Sequence, residues 1–482
     1  MAKLEGIEPV KVFRFFEELA GIPHGSGNTK EISDYLVRFA KARGLRYIQD
    51  SNNNVIIFQE GTPGYENAPV VILQGHMDMV CEKKPGSLHD FTKDGLKLQA
   101  EGDFISAKDT TLGADDGIAV AYALAVLDDD KLPHPPLEVV VTVDEEIGLL
   151  GAGSLDASPL KGKLLLNLDS EEESCLWVGC AGGLTAVSRI PVRYIEEANH
   201  RYGVKIHGLC GGHSGAEIDK IRANAVILMG RFLFELREHV GYLLSELKGG
   251  QKDNAIPREA SALLMLSEEE EERLFEAAAG FQEALRKEYA GTDEGITVTV
   301  ERLGMGTEPA LHPGSLEKVI FYLMHIPNGI LKMSGTIPGL VESSTNLGIL
   351  ELTPNELRAS SSVRSSVKSG KTAIAERIQY LTEFLGGDYE AEGEYPAWEY
   401  RQDSPLRELM VQVYKDLFQK EPQVKAVHAG LECGLFFEKI PGLDCISFGP
   451  DIFDIHTTEE HLSISSTKRV WEYLCTVLER IR

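Results

Sequence analysis

Residues 137–146 read LEVVVTVDEE, an almost unbroken apolar run that ends in three acidic residues. The same pattern occurs three more times, in 68–78 (APVVILQGHMD), 163–169 (KLLLNLD) and 443–456 (LDCISFGPDIFDIH). Apolar runs of this kind, without alternation, are typical of parallel strands that are buried on both faces. Each stretch therefore predicts a buried strand that is followed by carboxylates or histidine.

A helix is predicted between the first two of these strands, at residues 117–127 (GIAVAYALAVL). Strands that alternate with helices indicate an α/β domain whose mostly parallel sheet is flanked by helices. The chain has 482 residues, which is too long for one ordinary core. We therefore expect more than one domain.

The pattern changes after Trp177. Beyond it we predict helices within 224–247 and at 267–289, and strands near 204–209, 296–303 and 345–352. The buried-strand pattern then returns at 443–448. We therefore predict an α/β catalytic domain at 1–186, an inserted α+β lid at 187–394, and the rest of the catalytic domain at 395–482.

Composition excludes several classes of function. The hydrophobic and charged fractions, 43% and 26%, are those of a soluble globular protein. A net charge of −27 disfavours nucleic acid and anionic membrane as partners. The N-terminal segment lacks the pattern of a signal peptide, and no stretch has 18 uninterrupted apolar residues. The seven cysteines include no CxxC pair, so we expect a cytoplasmic protein without a cysteine zinc site.

The candidate functional residues are polar side chains that follow the predicted strands or lie at the start of the predicted helix. In open α/β sheets, ligands bind at the carboxyl ends of the strands. Singly, each residue has an ordinary interpretation as a surface acid, a turn or a helix cap. Together they supply the ligand types that hold zinc or similar ions, and the set comprises His76, Asp78, Asp115, Asp116, Glu145, Glu146, Asp169 and His456.

Eight segments carry a resemblance to a known family. LQGHMDMV, LGADDGIA, VDEEIGLLGA and LNLDSEEE resemble the co-catalytic metallopeptidases that include carboxypeptidase G, aminoacylases and peptidase T. GLCGGHSGAEI, NAIPREA, HAGLECGLF and GPDIFDIHTTEEHLSI extend the similarity along the chain. The full set is similar to the aminoacyl-histidine dipeptidase branch of that family. The resemblance implies a zinc exopeptidase-like fold and two divalent ions, zinc or else cobalt or manganese.

The resemblance also assigns metal ligands. Asp115 would bridge both ions, with His76 and Asp169 on one ion and Glu146 and His456 on the other. Asp78 would orient His76, since a carboxylate commonly fixes a ligating histidine. A departure concerns Asp116, where relatives often carry asparagine; an aspartate adds a charge beside the bridging ligand.

A second set of roles concerns catalysis and substrate binding. Glu145 would be the general base of a metal-activated water, and His213 the donor to the oxyanion. Asn254 and Arg364 would hold the C-terminal carboxylate of the substrate, and Glu432 would lie near its free amino group. The inserted domain exceeds one ferredoxin-like unit and is expected to be doubled or elaborated. His213 would then act either within its own subunit or across an expected homodimer.

Three functions remain open on these residues. The first is hydrolysis of free-amine dipeptides, among them Xaa-His and β-alanyl-histidine. The second is deacylation of N-acyl amino acids, or another exopeptidase activity of the same fold, such as that of an aminotripeptidase or carboxypeptidase. The third is an inactive metal or peptide carrier, which the presence of both Glu145 and Asp78 disfavours, because a carrier needs neither a base nor its support.

Overall fold

The computed structural model describes residues 3–482, so the first two residues of the predicted segment 1–186 lie outside the described residues. The chain forms two compact units. Unit 1 contains residues 3–179, 400–426 and 431–482, and unit 2 contains 180–399 and 427–430. The predicted boundaries at 186/187 and 394/395 compare with 179/180 and 399/400 in the structure. Within the described part of the chain, no helix is both long and apolar enough to cross a membrane.

The α-helices are α1 (Val10–Ala20), α2 (Lys30–Ala42), α3 (Ala114–Leu127), α4 (Leu150–Ser154), α5 (Ala225–Leu236), α6 (Glu271–Glu288), α7 (Pro313–His325), α8 (Lys368–Phe384), α9 (Pro405–Phe418), α10 (Glu432–Lys439) and α11 (Ile464–Arg480). The strands are β1 (Arg46–Gln49), β2 (Val55–Gln59), β3 (Val71–His76), β4 (Leu98–Glu101), β5 (Phe104–Ala107), β6 (Leu137–Thr142), β7 (Leu164–Asn167), β8 (Cys175–Cys180), β9 (Gly182–Pro191), β10 (Tyr194–His207), β11 (Gly212–His213), β12 (Leu243–Gly249), β13 (Ala255–Ile256), β14 (Ala260–Leu266), β15 (Thr297–Leu311), β16 (Gly329–Met333), β17 (Val341–Leu352), β18 (Glu356–Ser365), β19 (Asp388–Tyr395), β20 (Gln423–Val427), β21 (Asp444–Ser447), β22 (Ile452–Phe453) and β23 (His461–Ser463).

Unit 1 is built on an eight-stranded sheet with the order β1-β2-β6-β3-β7-β21-β8-β20. The four strands β6, β3, β7 and β21 run parallel. They are the four strands predicted from apolar runs, and every residue of β3 and β6 is buried. Helix α3, predicted at 117–127, is also buried along its whole length and packs against α1 and β3. The predicted α/β domain is therefore confirmed.

Unit 2 is an α+β structure with a nine-stranded sheet, ordered β15-β10-β14-β12-β17-β18-β9-β19, with β16 paired to β17. Helices α5 to α8 and the strands share one apolar core. The strands β10, β12, β14 and β15, with α5 and α6, have the β-α-β-β-α-β order of a ferredoxin-like unit. The strands β9, β17, β18 and β19, with α7 and α8, repeat that order. The inserted domain thus contains the unit twice.

One predicted element is wrong in its second half. The helical pattern of residues 224–247 predicts one or two helices, but the helix ends at Leu236 and residues 243–249 form β12. The apolar residues Leu243, Leu244 and Leu247 have a spacing that fits a helix as well as a strand, and short runs cannot be separated by periodicity. Pairing of β12 with β14 and β17 decides the conformation.

Candidate metal centre and active site

The candidate ligands of unit 1 lie at the carboxyl ends of its parallel strands. His76 is the last residue of β3, Glu145 and Glu146 follow β6, and Asp169 follows β7. Asp115 lies in the first turn of α3, where its backbone is not yet helical. The remaining ligand, His456, lies three residues after β22 with a φ of 62°. The fold therefore brings together side chains that are up to 380 positions apart, from 76 to 456.

The carboxylate of Asp115 lies between the two histidines. Its Oδ1 is 3.1 Å from Nε2 of His76, and its Oδ2 is 3.1 Å from Nε2 of His456. Nε2 of His456 is also 3.0 Å from Oε1 of Glu146. On the other side, Nε2 of His76 is 3.7 Å from Oδ1 of Asp169. Each oxygen of Asp115 thus faces a separate group of one histidine and one further carboxylate.

Asp78 fixes the orientation of His76. The Nδ1 atom of His76 is 3.0 Å from the Asp78 carbonyl oxygen and 3.4 Å from its carboxylate. Because both partners are acceptors, Nδ1 carries a proton, which leaves Nε2 as the ring atom that would bind a metal ion beside Asp115 and Asp169. The Asp78 carboxylate also accepts hydrogen bonds from the backbone N–H groups of Glu145 and Glu146, at 3.1 and 3.4 Å. One side chain therefore positions a candidate ligand and the candidate base.

The electrostatics of this cluster follow from crowding of buried carboxylates. Burial raises the pKa of Asp169 well above its usual value and that of Glu145 to about 8. Burial acts in the same direction on Asp115, but hydrogen bonds from His456 and His76 outweigh it and lower its pKa. Buried carboxylates of this kind are normally paired or coordinated to a metal. The donor atoms of Asp115, Glu146 and His456 lie within 4.8 Å of one another, as do those of His76, Asp116 and Asp169, and imidazoles and carboxylates fit divalent cations such as zinc.

Asp116 lies behind His76. Its Oδ2 accepts a hydrogen bond from the His76 backbone N–H at 3.1 Å, and its side chain is buried. A Cβ atom on Gly75 would lie 2.5 Å from this oxygen, so only glycine allows the approach. Burial, and next the charge of Asp169, raise the pKa of Asp116 well above its usual value. Through its hydrogen bond to the His76 backbone, Asp116 fixes the C-terminal end of β3.

The carboxylate of Glu460, which sequence patterns did not single out, supports the segment that carries Asp115. It accepts hydrogen bonds from the backbone N–H groups of Leu112, Gly113 and Ala114 at 2.7, 3.1 and 2.8 Å, and from that of Asp115 at 3.4 Å. A buried carboxylate that gathers four backbone donors fixes a loop. The spacing of apolar residues in the sequence does not predict such a contact, because the partners of Glu460 are backbone atoms.

Glu432 does not occupy the place that the resemblance implied. Its side chain has no exposed surface, and its Oε2 accepts hydrogen bonds from Gln74 and Thr142 at 2.5 and 2.7 Å. A carboxylate enclosed in this way offers no open face to a charged substrate amine. The expectation that Glu432 faces the substrate amino group is therefore corrected: it belongs to the interior of unit 1, over β3 and β6.

His213 lies in unit 2 on the short strand β11, which pairs with β13. Its Nδ1 accepts hydrogen bonds from the backbone N–H groups of Gly215 and Ala216 at 3.2 and 2.9 Å. Nδ1 is therefore unprotonated, and the proton of the neutral ring is on Nε2. Burial, and next the charge of Arg364, lower the pKa of His213 and keep the ring neutral. The neutral ring can therefore donate a hydrogen bond through Nε2–H, and the backbone of Gly215 and Ala216 holds the ring in place.

The other two candidates of unit 2 lie beside His213. A Cβ atom on Gly215 would be 3.0 Å from Cε1 of His213 and 3.1 Å from Nε of Arg364, so the two side chains flank this glycine. Arg364 is 8% exposed; its Nη1 donates to the Tyr395 hydroxyl at 2.7 Å, and its Nε has no partner among the described residues. Asn254 is exposed, and its carbonyl accepts the N–H of Ser214 at 2.9 Å.

The chain is similar to known peptidases along its whole length. It is 35% identical to the cytosol non-specific dipeptidase of Escherichia coli (strain K12), over 100% of this chain and 99% of that protein. The crystal structure of aminoacylhistidine dipeptidase from Vibrio alginolyticus matches with a TM-score of 0.94 and 35% identity, over 99% of this chain and 98% of that one.

A more distant structure and a family model agree with these matches. Aminopeptidase PepT from Bacillus cereus shares the fold, with a TM-score of 0.57 at 15% identity over 98% of this chain and 99% of that one. The family model for peptidase family M20/M25/M40 matches residues 72–480, a span that runs from β3 to the last residue of α11. The chain belongs to peptidase family M20/M25/M40.

Proposed function

We propose that this chain is a dipeptidase that hydrolyses dipeptides with a free N-terminus at a centre of two divalent metal ions. The observation that carries this proposal is the placement of Asp115, whose two carboxylate oxygens each lie 3.1 Å from the Nε2 atom of a different histidine. A carboxylate in that position can bridge two ions about 3.5–4 Å apart, the spacing of two-metal hydrolases.

Five residues would hold the metal ions. Asp115 would contact both ions, His76 and Asp169 would complete one site, and Glu146 and His456 would complete the other. When bound, the ions supply a Lewis-acidic centre that polarises the peptide carbonyl and acidifies water. Zinc fits two imidazoles and three carboxylates, and cobalt or manganese fit the same donors.

Glu145 is the general base in this proposal. Its backbone is held by Asp78, and none of the described residues donates a hydrogen bond to its carboxylate. Glu145 takes a proton from the water that attacks the peptide carbonyl and delivers it to the departing amine. Asp78 acts on this step indirectly, because it sets the position of Glu145 relative to His76.

The residues of unit 2 would bind the substrate. His213 would donate a hydrogen bond from its Nε2–H group to the oxyanion that forms at the carbonyl oxygen. Arg364 has an unpartnered, buried Nε atom, so a substrate carboxylate would satisfy a donor that is otherwise orphaned. Asn254 is exposed beside His213, and its side-chain NH₂ group can donate a hydrogen bond to the same carboxylate.

The proposed substrate class is inferred from the relatives of this chain. The Escherichia coli relative is a non-specific dipeptidase, and the Vibrio alginolyticus relative is an aminoacylhistidine dipeptidase. We propose Xaa-His and related dipeptides, including β-alanyl-histidine, as substrates, and the cytoplasm as the location, as in the Escherichia coli protein. A deacylase or another exopeptidase of the same fold is the second candidate. An inactive carrier is disfavoured by the positioned Glu145.

A substrate comparison tests this proposal. Zinc-loaded protein is incubated with alanyl-histidine and with its N-acetylated form, each with and without a chelator, and free histidine is quantified. The proposal predicts chelator-sensitive release from the free-amine dipeptide alone. Release mainly from the acetylated substrate would favour a deacylase, and no release from either would favour a carrier.

We also propose that the protein forms a homodimer. Large apolar side chains are exposed on two neighbouring helices of unit 2: Phe321 and Met324 on α7, and Tyr380 and Phe384 on α8, of which the latter two are 71% and 69% exposed. Exposed apolar groups of this size commonly mark an interface. Light scattering should give twice the chain mass of 53.0 kDa, and Phe384→Glu should shift the protein toward the monomer. A monomeric wild type would refute this assembly.

A further inference from the structure

Four polar side chains form a buried network in unit 1 next to the candidate ligands. Gln74, Thr142, Asn167 and Glu432 are each 0–1% exposed. Oε2 of Glu432 accepts hydrogen bonds from Gln74 and Thr142, and Oε1 of Gln74 accepts one from Asn167 at 2.5 Å. The second carboxylate oxygen, Oε1 of Glu432, has no hydrogen-bond partner among the described residues.

The strand register places this network directly beside His76. Thr142 pairs with His76 across β6 and β3, and Asn167 pairs with Gln74 across β7 and β3. Residues in register on parallel strands share a face, as do residues two apart on one strand. His76 therefore lies on the same face as the side chains that bind the Glu432 carboxylate, about 7 Å from Gln74 along β3.

The charge of Glu432 has no fixed cation to balance it. No lysine or arginine among the described residues forms an ion pair with its carboxylate. A buried carboxylate without a counter-charge is unfavourable, and burial raises the pKa of Glu432 to about 7, against the opposing influence of His76. Divalent cations bound at the neighbouring ligands would supply the positive charge that balances the Glu432 carboxylate.

We propose that Glu432 is a positioning residue of the metal centre, a buried carboxylate that binds no metal but increases the affinity of the adjacent ligands for divalent cations through its charge. This inference rests on the proposed two-metal site. For a carboxylate and a divalent cation about 10 Å apart in a medium with an effective dielectric constant of about 20, the attraction corresponds to roughly 100-fold in affinity for the cation. Solvent and ions reduce that figure, so we expect at least about tenfold.

The test is a zinc titration of metal-free protein in competition with a chromophoric chelator. Glu432→Gln keeps an acceptor oxygen for Gln74 and Thr142 and removes only the charge. Its zinc affinity should fall by at least about tenfold, while the melting temperature of the metal-free protein stays unchanged or rises. A loss of packing alone would lower the melting temperature and leave zinc affinity intact.

Three further variants separate charge from structure. Glu138→Gln is the matched control, because Glu138 is a buried carboxylate of β6 that accepts backbone hydrogen bonds four residues before Thr142, about 13 Å away along the strand. It should bind zinc like the wild type. Glu432→Ser is a second uncharged variant that should also lose affinity, and Glu432→Asp should retain more affinity than either.

The outcomes distinguish this inference from the proposed function. Wild-type zinc affinity in both uncharged Glu432 variants would overturn the role of Glu432 and leave the metal centre intact. An equal loss of affinity in Glu138→Gln would also overturn it, since the effect would then not depend on position. A wild-type protein that binds no zinc would refute the metal centre itself.

Discussion

At the scale of single residues, the account depends on adjacent acids having different tasks. Glu145 and Glu146 are neighbours in sequence, and both backbone N–H groups bind Asp78. Their carboxylates have different partners: Oε1 of Glu146 lies 3.0 Å from Nε2 of His456, whereas the carboxylate of Glu145 receives no hydrogen bond from the described residues. In the proposed mechanism, the same chemical group would serve as a ligand in one position and as a base in the next.

Replacing Glu145 with glutamine should separate these tasks. Glu145→Gln cannot accept a proton, so turnover of alanyl-histidine should fall by about 10²–10⁴-fold. Zinc content should remain that of the wild type, because Glu145 is not assigned as a ligand. Mass spectrometry of bound metal and steady-state kinetics on the same sample measure both quantities.

The matched control for this prediction is Glu146→Gln, which should lose zinc as well as turnover. If Glu145→Gln were the variant that lost zinc, the two assignments would have to be exchanged.

Replacing His213 tests the proposed oxyanion donor. His213→Ala removes the Nε2–H donor that the backbone of Gly215 and Ala216 holds in place. We expect kcat for dipeptide hydrolysis to fall by about 10²-fold or more, with a smaller change in KM, because the interaction forms in the transition state. His239→Ala, at an exposed position of the same unit, is the control and should be neutral. A wild-type kcat in His213→Ala would make His213 a structural residue of the glycine-rich turn.

Residues of the candidate centre differ in how well the sequence predicts them. His76, Asp115 and Asp169 stand out because each follows or neighbours a buried apolar run. Gln74 and Thr142 are inside such runs, and nothing in their spacing indicates that both bind Glu432. The partner of a buried polar residue depends on which strands become neighbours, and that information is not local.

At the scale of elements, the segment before α3 is held from a distant part of the chain. Four successive backbone N–H groups, from Leu112 to Asp115, bind the Glu460 carboxylate. These groups precede the first full turn of the helix and have no intrahelical acceptor. The position of Asp115 therefore depends on Glu460, which lies 345 residues later in the chain.

Removing the charge of Glu460 should weaken this segment. A carboxamide in Glu460→Gln offers one acceptor oxygen in place of two, and hydrogen bonds to charged groups are among the stronger ones. We expect the free energy of unfolding of the metal-free protein to fall by about 2–3 kcal/mol, measured by urea denaturation. Glu459→Gln, next to it but exposed and paired with Lys84, should change stability by less than about 0.5 kcal/mol. Equal stability of the two variants would contradict the supporting role of Glu460.

Element prediction succeeds where burial is uniform and fails where it is mixed. Strands β3, β6 and β21 and helix α3 are buried along their lengths, so their sequences are mostly apolar, with few polar residues. Strand β12 alternates in burial, and its sequence LLSELKG fits either type of element. Its conformation follows from pairing with β14, a segment that lies beyond an intervening turn and β13.

At the scale of the whole molecule, the acidic composition and the candidate centre are related. The chain carries a net charge of −27, and part of its negative charge is gathered at the buried ligands of unit 1. Bound cations neutralise carboxylates that otherwise repel one another. Metal binding should therefore stabilise the folded chain, since a ligand that binds only the folded state raises its stability.

Removing metal should lower the melting temperature. At free zinc about 100-fold above the dissociation constant, each site contributes about 2.7 kcal/mol. We expect chelation to lower the melting temperature by roughly 5 °C or more, measured by scanning calorimetry with and without zinc. In His76→Ala, which removes a ligand of only one of the two ions, the difference between the two scans should shrink by about half. An unchanged melting temperature in the wild type would contradict the coupling of metal to the fold.

The most direct test of the central claim is a zinc titration of metal-free protein in which bound zinc and hydrolysis of alanyl-histidine are measured in the same samples. The account predicts that turnover is absent without metal and reaches its maximum at two zinc ions per chain. His456→Ala should bind less than the wild type. Full turnover in rigorously metal-free protein, or two bound ions in His456→Ala with wild-type affinity, would contradict the two-metal centre proposed for unit 1.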